Sequence, residues 1–97
     1  MSHNELLWDY KIVTLTDDST TVYPSRCIIG PMLVTTAFSA HTVDVKDGTT
    51  ILMTLPASSA LHTEFAQLEH TRVLTSLVID PDNAMTGGVL LVRFLPV

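Results

Sequence analysis

The chain has 97 residues, of which 46% are apolar and 15% charged, the latter well under the roughly 25% of an average soluble domain. That composition describes one domain and excludes a disordered acidic segment, which lacks the apolar mass to fold. No apolar run approaches the roughly 18–20 residues a membrane-spanning helix requires, and the net charge of −5 with five scattered basic residues leaves no basic stripe for a phosphate backbone or an anionic membrane.

Threonine is the most frequent residue, with fourteen copies, and Ser adds seven. Together with Val, Ile and Leu it gives a vocabulary suited to pleated, half-buried surfaces. Residues 1–7 form a polar lead-in or arm. The first fifteen residues carry no basic cluster running into an apolar stretch, which predicts a chain without a secretory leader, made and folded in a cytoplasm. The domain itself is expected over residues 8–97.

Its first strand is expected over Trp8–Thr16. The apolar positions start at Trp8, Tyr10 and Ile12 and then change phase to Val13 and Leu15, which suggests a bulge. The polar reversal Asp17-Asp18-Ser19 leads to a short strand at Thr20–Tyr23. A long strand follows over Arg26–Ala37, broken by Gly30-Pro31, where it kinks or moves between sheets. It contains Cys27, the only cysteine, so an intrachain disulfide and a thiolate metal cluster are both excluded. The neighbouring Ile28 and Ile29 mark Cys27 as a small buried apolar residue.

The clearest local signal runs from His41 to Leu55. Val43 and Val45 alternate with polar residues at the period of two of a strand with one wet face. Asp47-Gly48 supplies the tight reversal, because glycine takes a positive φ without steric cost. The return strand would place Ile51, Met53 and Leu55 on one face. Over Ser58–His70 two readings compete. Leu61, Thr63 and Phe65 alternate as a strand does, whereas Leu61, Phe65 and Leu68 also fit a short helix capped by Ser58 or Ser59. Thr71–Asp80 is expected as one strand closed by Pro81. Gly87-Gly88 then releases the terminal strand Val89–Leu95, apolar on both faces and ended by Pro96. Such a strand is central in its sheet or meets a neighbouring subunit. Turn residues about every ten positions make this an all-β protein: a single small antiparallel β-sandwich, jelly-roll-like or Ig-like, of about seven or eight strands, with the possible exception of one short helix near 58–70.

Catalytic chemistry has little to work with. His41, His62 and His70 lie within sequence reach of Asp44, Glu64 or Glu69, but without the spacing of a metal site, so no metal is assigned. No nucleophile elbow, phosphate loop or calcium loop is present, and Asp80-Pro81-Asp82-Asn83 reads as a turn. The aromatics Trp8, Tyr10, Tyr23, Phe38, Phe65 and Phe94 are few and fall in core-like positions, which argues against a sugar-cleaving groove. The reading is a non-enzyme without cofactors.

The order of features carries more. An opening strand passes through Asp-Asp-Ser-Thr-Thr into Arg26-Cys27-Ile28-Ile29-Gly30. A Thr/Ala-rich loop and a Val-x-Val strand with Asp47-Gly48 follow, then Ile51-Leu52-Met53-Thr54-Leu55-Pro56. A strand closing at Asp80 precedes Gly87-Gly88-Val89-Leu90-Leu91-Val92. That arrangement, over roughly residues 8–97, resembles the small β-sandwich virion proteins of tailed bacteriophages that decorate or cement capsids or sit on tails. The resemblance implies a structural virion protein that assembles as a homotrimer or another ring. Its partners would be the major capsid protein or other virion proteins, not nucleic acid or membrane. It brings no catalytic residues. The two-faced terminal strand suggests an oligomer interface at Val89, Leu91, Arg93 and Leu95. The alternatives are a tail or neck accessory protein and a carbohydrate-binding or adhesin-like sandwich, the latter disfavoured by the scarcity of Trp and Tyr.

Overall fold

A computed structural model describes residues 8–66 and 72–97. Nine strands form two antiparallel sheets, and no helix occurs among the described residues. In chain order they are β1 (Asp9–Thr14), β2 (Thr20–Tyr23), β3 (Cys27–Thr36), β4 (Val43–Asp47), β5 (Thr50–Leu55), β6 (Glu64–Phe65), β7 (Val73–Leu74), β8 (Leu77–Pro81) and β9 (Val89–Pro96). The first sheet runs β1-β9-β3, with the two-residue strands β6 and β7 both pairing with β3; the second runs β2-β8-β4-β5. The all-β sandwich expected from composition and turn spacing is the fold.

Period-two alternation builds the core. Along β9 the even residues Leu90, Val92 and Phe94 are buried and the odd ones are only partly so. Val13, Ile29, Met32 and Val34 join them from the first sheet. Val22, Val43, Val45, Leu55, Leu77 and Ile79 face them from the second. Leu15, Phe38 and Met85, all outside strands, close the ends. Tyr23 of β2 and Phe94 of β9 bring their rings to 5.2 Å at 31°, a tilted contact that joins the two sheets. Cys27 is fully buried, and burial followed by the negative charge of Asp47 pushes its thiol pKa up.

Several expectations are corrected in detail. The phase change in the first strand is not a bulge, because β1 pairs with β9 without a register shift from Asp9↔Phe94 to Thr14↔Val89. Tyr10 and Ile12 face outward while Val13 and Leu15 face the core, so the strand is apolar on both sides. Gly30-Pro31 breaks the β3–β9 register between Ile29 and Met32, yet the strand stays in one sheet. The expected strand Thr71–Asp80 is two strands. β7 pairs with β3, and β8, two residues later, pairs with β2 and β4. The β4–β5 hairpin forms as expected, with Gly48 at φ 61°. A bulge opposite Val45 and Lys46 then turns Ile51 outward, away from Met53 and Leu55. Residues 58–66 are not helical: Ser58 and His62 adopt φ 58° and 71°, and only Glu64–Phe65 extends as a strand. His62 and Thr63 are instead held to β3, through the His62 amide to the Val34 carbonyl and the Val34 amide to the Thr63 carbonyl. The rest of that stretch, residues 67–70, and the lead-in at 1–7 lie outside the described residues.

Candidate functional site

The two outward faces of the sandwich differ in chemistry. On the second sheet the outward positions are Thr21, Val78, Asp80, Lys46, Asp44, Thr54 and Ile51. Four of these polar side chains are paired with one another. Lys46 pairs with Asp80, and Thr54 Oγ1 donates to Asp44 Oδ1 at 2.7 Å. The hydrogen bond that Lys46 donates to Asp80 leads the causes that raise the Lys46 pKa.

On the first sheet, antiparallel pairing aligns Tyr10 with Arg93, Ile12 with Leu91, Leu33 with Leu91 and Ile28 with Leu95. Paired residues share a face, so this outer surface is a nearly continuous apolar sheet. Tyr10 is 63% exposed, Ile12 58% and Val73 41%. All four residues suspected from sequence, Val89, Leu91, Arg93 and Leu95, lie on it as half-buried outward positions of a central strand. Trp8, Tyr10, Ile12, Leu33 and Ile28 complete the surface. Assigning Trp8 and Tyr10 to core-like positions overlooked them; the phase change in β1 was the available signal. Of the remaining aromatics, Phe38 and Phe94 are buried and Tyr23 and Phe65 pack partly against the core.

Within that face lies an open trough of ≈ 720 Å³. Its floor is the bulge at Gly30-Pro31. A Cβ on Gly30 would come 3.0 Å from Trp8 Cζ3 and 3.1 Å from Arg93 Cβ, so the indole rests directly on glycine backbone. The guanidinium of Arg93 donates from Nη1 to the Pro31 carbonyl at 3.2 Å. Of the acids that border the trough, exposed Glu64 stands at outward register opposite Leu33 and makes no salt bridge among the described residues, whereas Asp9 stands at inward register opposite Phe94 and accepts the Tyr10 amide on Oδ1 at 2.9 Å.

The histidines do not gather. His41 Nδ1 lies 3.1 Å from Asp82 Oδ2, across a loop pair that sequence spacing does not bring together, whereas His62 is exposed near β6 and His70 lies outside the described residues. No group of three or more His, Cys, Asp or Glu side chains converges among the described residues.

A polar knot does form at one end of the sandwich. Asp47 Oδ1 accepts from the Thr75 hydroxyl at 2.8 Å, the Thr75 amide at 2.9 Å and the Ser76 amide at 3.3 Å, while Arg72 stands 4.0 Å from Oδ2. Partial burial pushes this carboxyl up, but these hydrogen bonds and the Arg72 charge outweigh it and hold the pKa below the usual carboxylate value. The Gly48 amide donates to the Ser76 carbonyl at 2.8 Å, which fastens the β4–β5 turn to the crossover between the sheets. The knot is structural: it connects the hairpin to the point where the chain changes sheet.

No protein family, curated protein or solved structure matches this chain.

Proposed function

We propose that this protein is a structural subunit without enzymatic turnover, which assembles by docking the outer face of its first sheet against a second copy of itself. The observation that carries the reading is the unequal treatment of the surfaces. The outer face of the second sheet carries the pairs Lys46–Asp80 and Thr54–Asp44 beside Val78 and an exposed Ile51, whereas that of the first carries exposed Tyr10 and Ile12 beside half-buried Leu33 and Leu91. Contiguous exposed apolar surface of this kind marks association.

The edges argue for the same face. β1 is the longest edge strand of its sheet and puts Asp9 and Lys11 at inward-facing register, opposite Phe94 and Val92. β5 is bulged, β2 is four residues long with its own register shift, and β6 and β7 have two residues each. Short strands, bulges and inward charges are the devices that prevent edge-to-edge pairing. Strand addition is thus opposed, while face packing is left open. In a chain of net charge −5, homotypic contact also favours the surface with the fewest carboxylates. The outward positions of β9, from Val89 to Leu95, include no acid.

The setting for such a subunit is the one the sequence resemblance implies, a tailed-phage virion, with decoration or cementing of a capsid as the role, a homotrimer as the assembly and the major capsid protein as the larger partner. Many weak repeated contacts hold a lattice of that kind together. Chemical cross-linking of purified protein, with mass-spectrometric mapping, tests the assembly claim. Cross-links between copies should cluster around Lys11 on β1, beside the apolar face. Links confined to Lys46, on the opposite face, would overturn the assignment.

A further inference from the structure

We propose that the trough at Trp8 is half of a contact between copies, completed when Glu64 of one copy pairs with Arg93 of the next. The inference rests on the reading of this face as a homotypic docking surface and deepens it, by naming the charged pair that sets how two copies align.

Charge is sparse on the outer face of the first sheet. Among the outward register positions of β1, β3, β6, β7 and β9, Glu64 is the only acid and Arg93 the only base. The two stand on opposite flanks of β3, Glu64 on β6 and Arg93 on β9, and both border the trough. Neighbouring strands lie about 4.8 Å apart, so two intervals separate the pair by roughly 10 Å. No salt bridge joins them within the chain. A face with one acid, one base and no net charge is complementary to itself, because a second copy supplies the counter-ion for each group. Both closed arrangements allow the pairing. Like faces meeting about a two-fold axis make it twice, and copies following one another round a ring make it once per contact.

Arg93 is prepared for that role. Its guanidinium donates from Nη1 to the Pro31 carbonyl at 3.2 Å, which fixes the head group and leaves further N–H donors for a carboxylate. Trp8 and the Cβ of Arg93 both close on Gly30, so the arginine stem and the indole stand over glycine backbone. Docking would cover the pair with the apolar surface around it, Tyr10 and Leu91 included, and a lower local dielectric strengthens the attraction. The apolar surface then supplies affinity, and the ion pair supplies register.

Sedimentation velocity over a concentration series reads the association, and circular dichroism reads the fold. Glu64→Arg sets like charges opposite each other and should weaken self-association at least about tenfold. It does so while reducing the net negative charge, a change that by itself favours association. Arg93→Glu should weaken association as well. The double exchange, Glu64→Arg with Arg93→Glu, leaves the net charge unchanged and should recover most of the loss. A second measurement reads the contact itself. Arg93→Lys keeps the cation and supplies an amine, so a water-soluble carbodiimide should join Glu64 of one copy to position 93 of another. Mass spectrometry of mixed isotopically light and heavy chains identifies that link.

Glu64→Arg associating as tightly as the wild type, a double exchange no tighter than Glu64→Arg alone, or the absence of the inter-copy link would each overturn the pairing. Leu91→Lys separates this claim from the one beneath it. If Leu91→Lys abolishes association while Glu64→Arg leaves it unchanged, the face still docks and only the named pair is removed. A wild type that never self-associates removes both.

Discussion

The two outward faces of this sandwich are drawn from the same vocabulary of Thr, Val, Ile and Leu, yet one satisfies itself and the other does not. On the second sheet Lys46 meets Asp80 and Thr54 meets Asp44, so the surface is finished in water. On the first, Ile12 and Leu33 flank Leu91 and Ile28 lies beside Leu95, a row that water solvates poorly. Sheets solvated on one side normally alternate apolar-in and polar-out. The second sheet follows that pattern except at Val78 and Ile51, whereas the first departs from it along most of β9, a departure that calls for a functional explanation.

That contrast can be broken on one strand. Leu90 and Leu91 are neighbours on β9, one fully buried and one facing outward. Leu90→Ala should cost about 2–5 kcal/mol in urea unfolding, through lost burial and the cavity left behind. Leu91→Lys should cost the isolated subunit about 1 kcal/mol or less, while abolishing self-association. Equal destabilisation by the two would mean that the outer face belongs to the fold and not to a partner.

The next effect is local to the second sheet. Asp47→Ala removes three hydrogen bonds to the Thr75–Ser76 crossover and should cost about 1–3 kcal/mol by chemical denaturation. The associated pH dependence has a defined sign. A carboxyl whose pKa is depressed by folding contributes stability that is present above its unfolded pKa and lost as the pH falls through the folded one. The wild type should therefore lose stability on acidification below about pH 4, and Asp47→Asn should lose less over the same window. Parallel losses in the two proteins would show that the knot contributes nothing to acid sensitivity. The smallest effect is expected at the partly buried surface pair Lys46–Asp80. Lys46→Met should leave the unfolding midpoint within the scatter of surface substitutions and reduce only its salt dependence. A large loss there would make the polar face as important to the fold as the core.

How much of this was legible beforehand follows from which forces are local. Alternation at Val43 and Val45 with glycine at position 48 gave the hairpin, because turn geometry and strand period both act over a few residues. The two-faced run at Val89–Leu95 gave a central strand with an outward apolar face, and the four residues named from it lie on that face. The pairing of β1 with β9 was not legible, since it joins the two ends of the domain and is decided by the assembled sheet. The change of sheet after Leu74 was hidden for a related reason. A run of apolar residues looks the same whether it stays in one sheet or crosses, and the crossing is fixed by Asp47, twenty-eight positions from Thr75. Leu61, Phe65 and Leu68 matched a helical period by coincidence. His62 takes a left-handed conformation and Thr63 bonds to β3, so tertiary hydrogen bonding overrides the pattern. The trough was least visible, because it depends on Trp8 lying over a glycine from another strand.

The account depends most directly on sedimentation velocity of the wild-type chain beside Leu91→Lys, over a concentration series into the micromolar range. It predicts that the wild type shifts to a faster-sedimenting species as concentration rises, while the variant, with an unchanged circular dichroism spectrum, remains a monomer throughout. A wild type that stays monomeric, or a variant that associates equally well, would contradict it.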